Sequence, residues 1–433
     1  MSENGITRAA KPAEVMHRAL AASPAYVLVL LLGVTLLNYY DRSLIYITLP
    51  SIKSNLHLSD SQAGLLAGPA FSMMYALLGI PIARLADRGY RVRVLSLALT
   101  VWSLMTVMCG MAMTLPALFL ARLGVGVGEA GGLPATHAIA ADHFQGTRRA
   151  AALTAIATAA GVGAMGGTFL GGVLVGHRGW RAAYGTAGIP GVLLALVLLA
   201  TVRERRRNHG YIRLQAPFGE ALRALWHRRA YVFLCAGLAS ALLSNYALEA
   251  WTPTFYLRAY HFSTGELGLR YSLIKGIPDT LGTLMGGVIA TRWMHRDERS
   301  PVWMIALSFA AAIPFQLMVF LSESARLSFI ALIIASFCAA FWVGPTYTMI
   351  QGLAGGRLRA TAAAAFMLIV NLVGVGPGPW IAGGASDALA SLVGVESLRY
   401  ALCLMLIFAA IGSALVMRAA PYVIANLREA NCA

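Results

Sequence analysis

RERRRNHGYIRLQAPFGEALRALWHRR, residues 203–229, is the longest polar stretch in a chain of 433 residues. The chain as a whole is 58% hydrophobic and only 12% charged, with a mean hydropathy of +0.68. A soluble protein of this size needs more charge to cover its surface. On both sides of the polar stretch the sequence runs in uncharged segments of about 18 residues or more, long enough to cross a bilayer. Taking charge clusters as loops predicts an all-α integral membrane protein of twelve transmembrane helices. Six precede the stretch, at 24–52, 62–83, 92–112, 115–141, 149–175 and 180–202. Six follow it, at 230–258, 267–292, 300–321, 326–351, 357–388 and 396–419. The expected organisation is a 1–23 N-terminal segment, a 24–202 six-helix half, a 203–229 basic linker, a 230–420 six-helix half and a 421–433 tail. Within the linker, PFGEALRALW (217–226) reads as a short amphipathic helix on the membrane surface.

The net charge of +16 would suit nucleic acid, but its distribution points elsewhere. With both termini inside, the inner segments hold 24 Lys and Arg and the outer loops seven. That asymmetry predicts a multi-pass protein of the cytoplasmic (inner) membrane with both ends cytoplasmic. Basic segments facing anionic lipid need no nucleic-acid partner. The polar N-terminus does not read as a secretory signal. The five cysteines form neither a CxxC nor a disulfide framework, so no metal is expected.

Three bases remain inside predicted spans: Arg42, Arg122 and Lys275. Arg42 belongs to NYYDRSL (38–44), which also places Asp41 in an apolar run; Glu129 lies in the helix that carries Arg122. Helical rise puts Asp41, Arg42 and Arg122 at similar depth, with Glu129 about 10 Å deeper on the Arg122 face. Unpaired, each charge would cost several kcal/mol, so acids and bases should meet within the first half. The same groups could simply brace two helices. Against bracing, Arg122 aligns with Leu332, Glu129 with Ala339 and Asp41 with Leu248, although Glu249 stands opposite Arg42. A brace required by the fold should recur in both halves. Asp41, Glu129 and Arg122 are therefore the candidates for proton coupling, the proton being the expected coupling ion and no cofactor being called for. Glu249, Lys275 and Asp279 form a second polar set, in which Lys275 and Asp279 are i,i+4 neighbours able to neutralise each other.

The halves repeat weakly. LLNYYDR (36–42) pairs with LLSNYALE (242–249), ARLADRGYR (83–91) with GVIATRWMH (287–295), and FLARLGVGVGEAGGLPAT (119–136) with FIALIIASFCAAFWVGPT (329–346), at offsets of 204 to 211 residues. Parallel repeats point to a secondary transporter with its site between them. ARLADRGYRVR resembles the loop signature between the second and third helices of the major facilitator superfamily, with Ala83 in place of its leading glycine. RLGVGVG (122–128) matches the superfamily's fourth-helix pattern, and GGTFLGG (166–172) loosely resembles its fifth-helix motif without the proline. NYYDR together with RLGVGVGEAG resembles the spinster-like lipid transporters.

That resemblance implies a proton-coupled, alternating-access carrier for a single-chain lipid, either a lysophospholipid or a sphingoid phosphate. It also implies a cytoplasmic latch, for which Asp87, Arg88, Arg91 and Asp142 are the candidates, Arg88 meeting Asp142. The expected substrate contacts are Arg42, Arg122, Glu129, Asn38, Tyr46, Tyr75, Asn245, Glu249 and Asn371. A guanidinium fork suits phosphate better than a sugar hydroxyl. The alternative substrate is a drug-like or other small organic amphipath. The absence of HExxH, GxSxG and P-loop patterns argues against an enzyme. Expected partners are membrane lipid and the substrate alone, with the protein a monomer.

Overall fold

The computed structural model describes residues 23–87, 90–204 and 218–432, and every regular element among them is helical. α1 (Pro24–Leu56) opens with proline in its first turn, where a missing N–H costs nothing. It outruns the expected 24–52 by one turn. The next expected helix, 62–83, is two: α2 (Asp60–Ala67) and α3 (Pro69–Asp87), separated at Gly68. α4 (Arg91–Met111) follows. The expected 115–141 helix is also broken, just after Glu129, into α5 (Leu115–Glu129) and α6 (Gly132–His143). α7 (Gly146–Thr201) covers 56 residues in two helical segments broken at Gly179. At 1.5 Å per residue it would measure about 84 Å, far more than a bilayer core of about 30 Å. It turns back at Gly179, where φ 77 and ψ 166 suit glycine alone.

α8 (Phe218–Trp226) is the amphipathic helix expected within the polar stretch, whose residues 205–217 lie outside the described ones. α9 (Arg229–Tyr260), α10 (Thr264–Met294), α11 (Ser300–Leu321) and α12 (Ala325–Ala339) follow. A 3₁₀ turn at Ala340–Trp342 leads into α13 (Val343–Ile369), which reverses at Gly355. A π turn at Val370–Val375 precedes α14 (Pro377–Val393), and α15 (Ser397–Met417) completes the long helices. The segment read as a tail holds one more helix, α16 (Val423–Cys432). Its Val423 is fully buried, and Asn426 Oδ1 accepts the Ala230 amide at 3.0 Å.

Seven helical stretches among the described residues are long and apolar enough to cross a membrane. Large apolar side chains such as Leu97, Leu120, Leu193, Leu284 and Ile407 face outward. In water such a surface would aggregate; in lipid it is the solvated one.

The repeat reappears in the geometry. α1 and α9 each carry a proline near the far end, Pro50 and Pro253, and each ends at a left-handed histidine, His57 (φ 52) and His261 (φ 55). Each is followed by a helix opened by a capping box, Ser59 with Gln62 and Ser263 with Glu266. These caps are 204 residues apart. On that register Asp41 falls opposite Asn245 rather than Leu248.

The helices before residue 203 meet those after 228 along two glycine-lined seams. α2 and the loop after it lie against α14 and the turn before it: a Cβ at Gly64, Gly68 or Gly383 would collide with the carbonyls of Pro379, Gly376 or Asp60. In the second seam α7 lies on α10, with the Gly172 and Gly268 backbones in contact. Small residues let the helices approach to backbone distance.

Candidate functional site

The charges placed by the sequence inside α1 and α5 do meet, in an arrangement the spacing could not supply. Glu129 is buried at the last turn of α5, and Arg42 Nε donates to its Oε2 at 2.6 Å. The Arg42 guanidinium lies over three rings, 5.4 Å from Tyr39, 4.9 Å from Phe71 and 4.6 Å from Tyr75. A delocalised, weakly hydrated cation is well suited to such stacking. Phe71 and Tyr75 stack on each other at 5.4 Å. About a quarter of the Arg42 side chain stays accessible, whereas Glu129 is fully enclosed.

Asp41 makes no ion pair among the described residues. It is buried, Thr106 Oγ1 donates to its Oδ2 at 3.1 Å, and its Oδ1 has no partner. Helix geometry is the reason: neighbours in sequence point about 100° apart, so Asp41 and Arg42 cannot both face Glu129. Arg122 is buried as well, its guanidinium 5.5 Å from the Phe71 ring and its Nε without a partner. It makes no ion pair with Glu129, seven residues away on a helix. Asp41 Oδ1 and Arg122 Nε are thus buried without a hydrogen-bond partner among the described residues. Unsatisfied buried polar groups are expensive.

Tyr46, one turn beyond Arg42, lines a cavity between the two sets of helices, opposite Glu249, Tyr271, Lys275 and Asp279. A second cavity, of about 230 Å³, is lined by α9, α10, α11, α12 and the turn after it, and includes Asn245, Glu249, Lys275 and Asp279. Asn38 is buried on α1, its amide nitrogen near Gly132. Asn371 stands apart from both cavities, its side chain donating to the Met367 carbonyl at 2.7 Å. Of the expected latch residues, Arg91 and Asp142 form an ion pair at 2.5 Å. Arg88 and the side chain of Asp87 lie outside the described residues.

A network that the sequence reading missed ties the helices together at the opposite end from Arg91. Asp60, the first residue of α2, accepts from Lys53 Nζ at 2.5 Å, from both terminal nitrogens of Arg258 at 2.6 and 2.9 Å, and from Ser386 Oγ at 2.8 Å. The Asp60 and Ser61 amides in turn donate to the Asp387 carboxylate at 2.9 and 2.7 Å, so α14 caps the start of α2. Burial pushes the Asp60 carboxyl up, but the hydrogen bonds and charges of Arg258 and Lys53 outweigh it and hold the group down at about 2. The available signal was Lys53 and Arg258, two of only seven cations expected on the outer side.

The sequence pattern of the Major Facilitator Superfamily matches residues 31–379. An MFS-type efflux pump of Mycolicibacterium smegmatis is 34% identical over 369 residues, 85% of this chain and 86% of the pump. The sphingosine-1-phosphate transporter SPNS2 of Danio rerio is 24% identical over 402 residues, 88% of this chain and 80% of that protein. The crystal structure of a bacterial homolog of the human lysosomal transporter spinster, in an inward-facing and unoccupied conformation, superposes with a TM-score of 0.84. Its identity is 29%, over 93% of this chain and 98% of the homolog.

Proposed function

The chain belongs to the Major Facilitator Superfamily and resembles its spinster members, and from that premise we propose a twelve-span, alternating-access carrier in two six-helix halves, 24–202 and 230–420. It carries a single-chain phospholipid, and a proton on Glu129 drives it. The observation that carries this reading is the Arg42–Glu129 pair. While Glu129 is ionised, its carboxylate holds Arg42. Protonation removes the counter-charge, and the partly accessible guanidinium is released toward a phosphate. The stacked rings of Tyr39, Phe71 and Tyr75 keep the fork in place during the exchange. The spinster-like relatives, one of them named for sphingosine-1-phosphate, support a lipid with a phosphate headgroup. In this reading the Asp60 end faces outward and is closed, the Arg91 end faces the cytoplasm, and both termini are cytoplasmic.

Purified protein in liposomes should move a fluorescent lysophospholipid, and Arg42→Ala should abolish that movement while leaving the protein folded. Transport unaffected by Arg42→Ala would remove the headgroup role. A second reading, export of a drug-like amphipath, is favoured by the 34% identity to an efflux pump. Movement of a cationic dye with none of the lysophospholipid would replace the first reading by the second.

A further inference from the structure

The cavity of about 230 Å³ carries a charge pattern that the Arg42–Glu129 site does not explain. Lys275 Nζ lies 2.5 Å from Asp279 and 3.8 Å from Glu249. The i,i+4 pair accounts for Lys275 and Asp279 but leaves Glu249 over. Its oxygen lies beyond hydrogen-bond distance of the ammonium, and its side chain is 29% exposed to the cavities. Among the described residues lining either cavity, Lys275 is the only base. Two carboxylates therefore face one built-in cation, and the chamber holds a surplus negative charge. An anionic headgroup is repelled there; a cation is drawn in.

The walls specify which cation. Tyr246, Tyr271, Phe320 and Trp342 line the chamber. Aromatic faces beside carboxylates suit an organic ammonium, which gains from ring quadrupoles and loses little hydration. A small metal ion would demand a closer oxygen cage than two carboxylates, one of them occupied.

We propose that Glu249 and Asp279, with these aromatic walls, form a binding site for the ammonium group of an amphipathic ligand, and that Lys275 fills it as a tethered cation until the ligand displaces it. The proposal rests on the carrier reading above and extends it to the ligand's second charge. Tyr46, one turn past Arg42 on α1, lines a cavity with Glu249, Lys275 and Asp279, so the phosphate and ammonium positions adjoin one chamber. The matching ligand is a single-chain zwitterion, with phosphate toward α1 and ammonium toward α9 and α10.

Binding to the purified full-length protein tests this with three probes of equal tail length: an alkyl phosphocholine, an alkyl trimethylammonium and an alkyl phosphate. Glu249→Gln, alone and with Asp279→Asn, should weaken the two ammonium probes about tenfold or more and spare the alkyl phosphate, which also reports that the fold is intact. Lys275→Gln should do the opposite, tightening the trimethylammonium probe by removing its internal competitor. Equal losses on all three probes, or an unchanged ammonium affinity in the double variant, would overturn the site. Weaker trimethylammonium binding in Lys275→Gln would overturn the tethered-cation role. Should wild type bind trimethylammonium and no phosphate probe, the phospholipid reading fails while the ammonium site stands.

Discussion

The four charges that the sequence places in the first half, Asp41, Arg42, Arg122 and Glu129, were legible because a charge inside an apolar run has few benign explanations. Their pairing was not, because it depends on how each helix is rotated, which depth along the axis does not reveal. The structure gives Glu129 to Arg42 and leaves Asp41 with Thr106. The two acids therefore separate experimentally. Glu129→Gln removes the charge that holds Arg42, so binding of a phosphate-bearing lipid should lose its pH dependence, which in wild type strengthens on acidification. Asp41→Asn keeps an oxygen able to accept from Thr106 and should alter pH dependence far less. Lipid binding measured at acid and neutral pH checks both; a normal pH response in Glu129→Gln would move the coupling proton elsewhere. The missed network around Asp60 has the opposite cause. Lys53, Asp60 and Arg258 sit in the terminal turns of α1, α2 and α9, where a solvated charge needs no partner, so nothing local in the sequence pairs them with one another or with Asp387 inside α14.

Helix positions were read to within a few residues because apolar runs and charge clusters set them. Interruptions inside spans were not, since a break such as that after Glu129 leaves hydropathy unchanged. α16 was also missed: a short segment of mixed polarity carries little signal until α9 and α13 supply a surface for Val423 and Leu427. The glycine seams show how elements meet. Along α7 and α10, Gly172 and Gly268 touch backbone to backbone, and a Cβ at Gly172 would lie 2.8 Å from the Gly268 Cα. No side chain can be added there without separating the helices, because the obstacle is backbone. Gly268→Leu should therefore push α7 and α10 apart at the Asp60 end and populate a form open on that side. Spin-label distances between residues 176 and 265 should lengthen. An unchanged distance distribution would mean that the seam tolerates bulk and does not hold the closure.

For the whole molecule the question is what holds the two sets of helices together at the Asp60 end. The glycine seams supply close contact, but apolar contact between helices gains little in lipid, where the tails are equally apolar. The Asp60 network supplies direction, since it forms only when the two sets of helices come together: Arg258 and Ser386 come from one set, Lys53 and Asp60 from the other. Its pH dependence follows from the depressed carboxyl. Held at about 2 against an ordinary 3.8, Asp60 contributes to closure above about pH 4 and loses that contribution as pH falls toward 2. The shift corresponds to something on the order of 2 kcal/mol, or roughly thirtyfold in a two-state equilibrium. At neutral pH the full contribution is present, so this network is a fixed clasp, and in the proposed reading the proton-responsive element is the Arg42–Glu129 pair deeper in the bundle. Asp60→Asn should shift the population toward the form open at this end, because Arg258 and Lys53 then face a neutral amide and repel each other. Distances between the 57–59 and 261–263 turns, measured at neutral pH, should lengthen and broaden in the variant while the Arg91 end shortens. Lengthening at both ends would mean that the halves have merely loosened, and no change at either would show that the seams alone hold the closure.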